Sequence, residues 1–392
     1  MNFPVLKLKP KRERSIIHRH PWIFSGALDN KVKAQEGDII EVRDSGDKIL
    51  GYGFYSEKSQ ISCRMFEWTE RNDFESEDYW FEKIDNALKL RKVNVLNEGT
   101  NAYRLLHAEG DFLPGIIIDV YNDAAVVQIL VKGIENRKEL IFSALQRAGF
   151  HNIYVKAKTS SHVMEDIQSL SGWAVGKTET PIVIKENNVN FKVDFIEGQK
   201  TGFFIDQRDN RQLLRTLSKD KIVLNTFSYT GGFSVYAVAG GAKEVHSVDI
   251  SADAVQGAID NVLLNFPNAN HEGMTKDCFE FLKDMPDSLY DIIVLDPPAF
   301  AKSARAVDNA TRGYKQINMR AFKKIRPGGL VFTFSCSQNI SKELFQKIVF
   351  GAAADARRNV RIIHQLHQPA DHPINIYHPE GEYLKGLVLW VE

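Results

Sequence analysis

The sequence predicts an α/β protein with a β-rich N-terminal domain, a central mixed α/β domain and a C-terminal, mostly parallel sheet wrapped by helices. Three observations carry this. Residues 1–70 alternate short apolar runs with Gly37, Gly46, Gly51 and Gly53, as in GDIIEVRD and KILGYGFYS, a texture of short strands and tight turns. From Ser76 the period changes, and Trp80, Ile84, Leu88 and Lys92 recur at helical spacing. Beyond residue 220, apolar strand-length runs alternate with helix-length stretches, the pattern of a parallel sheet covered on both faces.

Taken in order, the boundaries fall at 1–72, 73–188 and 189–392, since 392 residues exceed what one core holds. In the central part, GIIIDVYNDAAVVQIL at 115–130 gives two strands around Asn122–Asp123. A helix near 135–148 and a strand at 152–156 follow. The third part opens with a hairpin, PIVIKENNVNFKVDFI, turning at Asn187–Asn188. Strands are then expected at KIVLN (221–225), VHSVDI (245–250), DIIVLD (291–296), LVFTFS (330–335) and LKGLVLWV (384–391), with helices over 252–265 and 308–325.

Composition excludes several classes. No run of eighteen apolar residues is present and MNFPVLKLKPKRERS lacks a signal-peptide core, so a cytoplasmic protein without a membrane partner is expected. Three scattered cysteines, Cys63, Cys278 and Cys336, make neither a disulfide framework nor a zinc site. His364 and His367 lack a cysteine partner, so no metal is expected. Net charge is zero, yet the charge is clustered. Residues 1–25 carry six basic residues, among them Lys11, Arg12 and Arg14, against Glu13 alone. Residues 302–326 carry eight, from Lys302 to Arg326 and including Arg312 and Lys315, against Asp308 alone. Such clusters attract a polyanion, because each phosphate contact releases counterions; read blandly, they are solvated faces.

The first strand of the C-terminal sheet leads into TFSYTGGFSVYAV, where Gly231–Gly232 let backbone amides approach a ligand before a helix begins near Phe233. The G-x-G-x-x-G spacing of dinucleotide enzymes is absent. Asp249 ends the next strand, 24 residues after Asn225, where a carboxylate can accept from two ribose hydroxyls. Asp277 follows, placed to receive an adenine amine or to cap a helix. A ligand with a ribose and an adenine but no phosphate to cradle is S-adenosylmethionine. Its candidate site comprises Asn225, Phe227, Ser228, Tyr229, Thr230, Gly231, Asp249, Asp277 and Asp296.

Two further strand ends carry chemistry. DIIVLDPPAF delivers Asp296 and two prolines, and VFTFSCSQNI delivers Cys336. In an open α/β sheet ligands bind at that edge, so the acid and the thiol are expected to share a crevice. Asp-Pro-Pro followed by an aromatic occurs where exocyclic nitrogens are methylated, but Phe300 stands one place late, behind Ala299. The motif by itself leaves nitrogen and carbon methylation open. Cys336 separates them, because carbon 5 of a pyrimidine becomes nucleophilic only after a thiolate adds to carbon 6. Flanked by Ser335 and Ser337, Cys336 reads as a nucleophile, whereas Cys63 and Cys278 read as core filler.

GQKTGFFIDQRDNR at 198–211, with LNTFSYTGGFSVYA, VDIS, LDPPAF and the SCS triplet, resembles the ribosomal RNA large-subunit methyltransferase I family, and the likeness spans the chain. LKLKPKRERSIIHRHPWIFSGAL is similar to that family's N-terminal PUA domain, an RNA-binding β-barrel. The resemblance implies a Rossmann-like class I methyltransferase domain, S-adenosylmethionine as cofactor, and 5-methylcytosine formed in 23S rRNA, with Cys336 as nucleophile and Asp296 holding the base. It further implies that 198–211 closes over the cofactor's methionine end through Lys200 and Arg208, and that the protein is a homodimer. Ala299 stands where other RNA cytosine-5 methyltransferases carry a second cysteine, so Cys336 acts alone and the proton-removing base is unassigned. Asp371 and His372, in a loop expected to line the substrate entrance, are candidates for it. Two other readings stay open: a nitrogen methyltransferase acting on guanine or adenine, and an inactive RNA-binding assembly factor.

Overall fold

The computed structural model describes the chain except residues 1, 2, 30, 158–166 and 302, and the side chain of residue 304. Lys302, counted in the second basic cluster, therefore lies outside the described residues. The chain forms two compact units, the first from 1–184, 193–205 and 370–381, the second from 185–192, 206–369 and 382–392.

The first unit contains two five-stranded sheets. One uses β1 (Val5–Lys7), β2 (Trp22–Phe24), β3 (Ile39–Arg43), β4 (Ile49–Tyr55) and β5 (Ile61–Glu67) in the order β1-β3-β4-β5-β2. Its core includes Leu6, Ile16, Ile40, Val42, Cys63 and Met65. The other uses β6 (Ala102–His107), β7 (Ile116–Tyr121), β8 (Ala124–Ile129), β9 (Asn152–Val155) and β10 (Gly172–Val175) in sequential order. The β7–β8 turn puts Asn122 at φ 56°, a left-handed position that asparagine tolerates. The helix Glu77–Asn94 buries Tyr79, Trp80, Ile84, Ala87, Leu88 and Arg91, and Lys92 is exposed. Its inward face thus ends on Arg91, which ion-pairs with Asp111.

The Asp371–His372 loop belongs to this unit. Both residues are buried. Asp371 Oδ2 accepts the Arg104 backbone N–H at 2.9 Å, and its carbonyl accepts from Arg91 Nη2 at 2.9 Å. The residues fasten a returning segment.

A hairpin of β11 (Ile182–Glu186) and β12 (Val189–Val193) turns at Asn187 and Asn188, both at positive φ as its tight turn requires. The second unit is built on a seven-stranded sheet of β13 (Ile222–Thr226), β14 (Glu244–Asp249), β15 (His271–Thr275), β16 (Ile292–Leu295), β17 (Gly329–Ser335), β18 (Val360–Leu366) and β19 (Lys385–Val391). The order is β15-β14-β13-β16-β17-β19-β18. β15 to β17 pair in parallel; β19 runs antiparallel to β17 and β18.

Alternation along each strand divides the core between two faces. Val223, Ile292, Val294, Phe332 and Phe334 pack on one face with Leu214 and Phe233. Leu224, Ile293, Leu295 and Val331 pack on the other with Tyr314, Phe322 and Phe345. Strand order reverses at β13: the chain first moves outward to β14 and β15, then returns to β16. That switch opens a crevice at the carboxyl ends of β13 and β16.

Candidate active site

The register aligns the strand ends. Thr226 of β13 stands opposite Val248 of β14 and Leu295 of β16, and Leu295 stands opposite Thr333 of β17. Asp249, Phe227 and Asp296, in that order across the sheet, leave it at one level on neighbouring strands, each about 4.8 Å from the next. Cys336 follows the end of β17.

The loop after β13 is backbone-strained. Phe227, Tyr229 and Gly231 have φ of 54°, 45° and 78°. Two aromatic residues in the left-handed region persist only where the surroundings fix them, and such strain gathers at ligand sites. The fixing contacts are plain. Phe227 N–H donates to Cys278 Sγ at 3.2 Å, Ser228 N–H to the Val248 carbonyl at 3.1 Å, and Tyr229 N–H to Asp249 Oδ2 at 2.9 Å. Asn261 Nδ2 holds the Thr230 carbonyl at 2.9 Å. At Gly231 a Cβ would meet Ala258 at 2.8 Å, so glycine also permits close packing on the helix Ala252–Asn265.

Asn225 is buried; its Nδ2 donates to Ser234 Oγ at 2.9 Å, Ser234 Oγ shares a bond of 2.6 Å with Ser247 Oγ, and Ser247 Oγ shares one of 2.8 Å with His271 Nε2. This chain pins the helix Gly232–Ala239 to three strands. Asp249 Oδ1 accepts from Ser251 N–H at 3.0 Å, and Ile250 beside it is 71 % exposed, an apolar surface next to a carboxylate. Asp277 is exposed and caps the helix Cys278–Asp284, accepting from Glu280 N–H at 3.0 Å.

The Asp296 and Cys336 loops are stitched together. Ala301 N–H donates to Ser337 Oγ at 3.2 Å, and Asn339 Nδ2 to the Ala301 carbonyl at 3.3 Å. Tyr314, from the helix Val307–Lys324, shares a hydrogen bond of 3.0 Å with Ser337 Oγ. Lys385, opposite Ser335 on β19, donates to the Ser337 carbonyl at 2.7 Å. The Phe300 ring packs against Tyr314 and Phe279, with centroids 4.7 and 5.9 Å away, so it serves the core of this corner. Cys63 and Cys278 are buried and burial pushes both thiols up, that of Cys278 to about 12. Cys336 is half-buried.

Among the other expected residues, Arg208, Lys200 and Lys315 have partners of their own. Arg208 is buried 3.4 Å from Glu186 Oε2, beside Arg211, which takes both oxygens of that carboxylate at 2.9 and 2.8 Å. Lys200 belongs to the first unit, its ammonium 4.4 Å from the Phe204 ring centroid. Lys11, Arg12 and Arg14 are exposed there, and Arg312 is exposed in the second unit. Lys315 pairs with Asp355 at 2.8 Å, Lys324 with Asp287 at 2.7 Å and Arg326 with Asp291 at 2.7 Å. Arg320 donates to the Phe279 carbonyl. The second basic cluster is therefore partly neutralised by acids distant in sequence. Tyr314 and Lys385 were missed: the first looks like part of a basic helix, the second like an interruption in an apolar strand. Among the described residues no cluster of three metal-ligating side chains occurs, and no helix is long and apolar enough to cross a membrane.

Comparison with known proteins agrees with this arrangement. Residues 155–379 match the family described as S-adenosylmethionine-dependent methyltransferase, and 6–68 match a PUA-like domain. Ribosomal RNA large subunit methyltransferase I of Shewanella denitrificans is 42 % identical, with 98 % of each chain covered. The protein of that name from Aeromonas salmonicida is 42 % identical over 96 % of this chain and 97 % of its own. Among solved structures, a SAM-dependent methyltransferase from Streptococcus mutans superposes with TM-score 0.84 at 22 % identity, covering 99 % of this chain and 100 % of its own. A methyltransferase complexed with SAH superposes with TM-score 0.85, again at 22 % identity, and covers 99 % of this chain and 100 % of its own.

The residues present fit S-adenosylmethionine. Asn225 Oδ1 and Ser228 Oγ are buried without a hydrogen-bond partner among the described residues, at the strand end where a ligand's polar atoms would complete them. Asp249, already accepting two backbone N–H groups, retains lone pairs for ribose hydroxyls. With its N-terminal PUA-like domain and C-terminal S-adenosylmethionine-dependent methyltransferase domain, the chain belongs to the ribosomal RNA large subunit methyltransferase I family.

Proposed function

We propose that the protein transfers the methyl group of S-adenosylmethionine to carbon 5 of a cytosine in large-subunit (23S) ribosomal RNA, through a covalent bond between Cys336 and carbon 6. The observation that carries this is the stitching of the Cys336 loop to the Asp296 loop through Ala301, Ser337 and Asn339. A thiol on a loop tied to the one that carries Asp296 has a use in carbon methylation and none in nitrogen methylation. The names of the curated relatives support ribosomal RNA as substrate.

In this reading Asp249, Asn225, Ser228 and the loop Phe227–Gly231 hold the cofactor, with Asp277 beside them; Arg208 and Lys200 serve its methionine end. Lys11, Arg12 and Arg14 of the PUA-like domain, with Arg312 and Lys315, meet RNA phosphates. The target base leaves its stack, since a stacked cytosine cannot present carbon 6 to a half-buried thiol. Asp296 holds its polar edge. The Cys336 thiolate forms a bond to carbon 6, the displaced π electrons attack the sulfonium methyl from carbon 5, and S-adenosylhomocysteine leaves with the electron pair of the broken carbon–sulfur bond. Loss of the carbon-5 proton to a base then re-forms the double bond and expels the thiolate.

The test is nucleoside analysis of 23S rRNA incubated with the protein and methyl-labelled S-adenosylmethionine. Label in 5-methylcytosine is expected, abolished by Cys336→Ala while cofactor binding persists. Label in a methylated guanine or adenine, or full transfer by the Cys336→Ala variant, would overturn the reading.

A further inference from the structure

Lys385 is the first residue of β19 and stands directly opposite Ser335, the last residue of β17 before Cys336. Lysine at that place in an apolar strand calls for a cause, because burying an ammonium costs free energy unless an anion accompanies it. Lys385 is 6 % exposed. Of its three N–H groups one is accounted for, by the Ser337 carbonyl at 2.7 Å. Among the described residues no carboxylate lies within ion-pair distance of it.

The charged groups facing Lys385 are Cys336 and Glu382, and both favour its protonated form. Tyr314 reaches the same Ser337 through its hydroxyl. The ammonium is held against the backbone of the residue after Cys336, and the Asp296 loop is tied to that same residue through Ala301.

We propose that Lys385 is the positioning residue that holds Cys336 as a thiolate, its buried ammonium supplying the counter-charge. Ionisation releases the sulfur proton to solvent; the ammonium keeps its own proton and remains in place while sulfur bonds to carbon 6 and when it is expelled. Burial lowers the Lys385 ammonium to about 8, so it is charged at neutral pH and the pairing weakens above that value. The assignment rests on Cys336 being the nucleophile, but the ionisation of Cys336 can be measured without that premise.

The experiment is alkylation of the full chain by iodoacetamide across pH, with the rate at Cys336 read by peptide mass spectrometry. In the wild type the midpoint should lie below that of free cysteine, roughly 8.5. In Lys385→Met it should rise by a unit or more, slowing alkylation at neutral pH about tenfold, while S-adenosylmethionine affinity is retained. Lys385→Arg, which keeps the charge, should restore part of the rate. A wild-type midpoint at or above that of free cysteine would overturn the proposal even if Lys385→Met does not fold. So would an unshifted midpoint in a Lys385→Met protein that still binds cofactor. Full methyl transfer by Cys336→Ala would instead overturn the covalent reading and leave these midpoints unchanged.

Discussion

Asp249 and Asp277 look alike in the sequence, each a carboxylate after an apolar stretch, yet their surroundings differ. Asp249 is half-buried and braces the strained loop by accepting the Tyr229 N–H. Replacing it with Ala should weaken S-adenosylmethionine binding by about tenfold or more, the loss of charge-assisted hydrogen bonds, with calorimetry as the readout. Asp277 is exposed and spends Oδ1 on a helix cap. The strand-end positions of Asp249, Asp296 and Cys336 were legible because each follows an apolar run. Lys385 was not legible: one lysine in LKGLVLWV reads as an exposed edge until pairing with β17 buries it beside Cys336. Tyr314 was hidden for a similar reason, since its neighbours Arg312 and Lys315 made the stretch look like a solvated face.

The elements that periodicity announced are the ones packed on two sides. β13, β16 and β17 read directly from their apolar runs, and β14 from its place in the alternation. β15, with half-buried and exposed residues and Gly273 in its middle, has no apolar alternation to read. β18 is an edge strand with mostly exposed residues. The helix Cys278–Asp284, seven residues long, depends on its cap. Asp277→Ala should cost about 1 kcal/mol of stability, and Asp277→Asn should restore most of it, as read by chemical denaturation. Restored stability with persistently weakened cofactor binding would separate an adenine-binding role from the cap. In the helix Val307–Lys324, Arg312 is exposed while Lys315 is paired with Asp355. Arg312→Ala should therefore lower RNA affinity and reduce the salt slope by about one, with a smaller effect from Lys315→Ala.

At the scale of the molecule, each unit holds a histidine kept neutral by burial. His107 in the first lies well below its ordinary value, and His271 in the second is lowered to about 4. Desolvation leads in both cases; His372 is the next influence on the first and His246 on the second. Below about 6.5 the unfolded chain takes up protons that the folded chain refuses, so stability falls with pH. For His271 the loss runs between about 6.5 and about 4. Thermal denaturation at several pH values should show both units losing stability in acid, and His271→Gln should flatten the dependence of the second. The overall order of β-rich, mixed and parallel segments was readable from the change of period along the chain. The return of 193–205 and 370–381 to the first unit was not, because segments joined by long-range packing carry no local periodic signal.

The proposed mechanism turns on a covalent bond between Cys336 and cytosine. Its most direct measurement uses 23S rRNA containing 5-fluorocytosine, incubated with the protein and S-adenosylmethionine and resolved under denaturing conditions. Carbon 5 then carries fluorine in place of the proton that must leave, so elimination stops after methyl transfer. A protein–RNA adduct that survives denaturation and maps to Cys336 is predicted, and it should be absent in Cys336→Ala. Efficient methylation of unmodified rRNA without any such adduct would contradict the account.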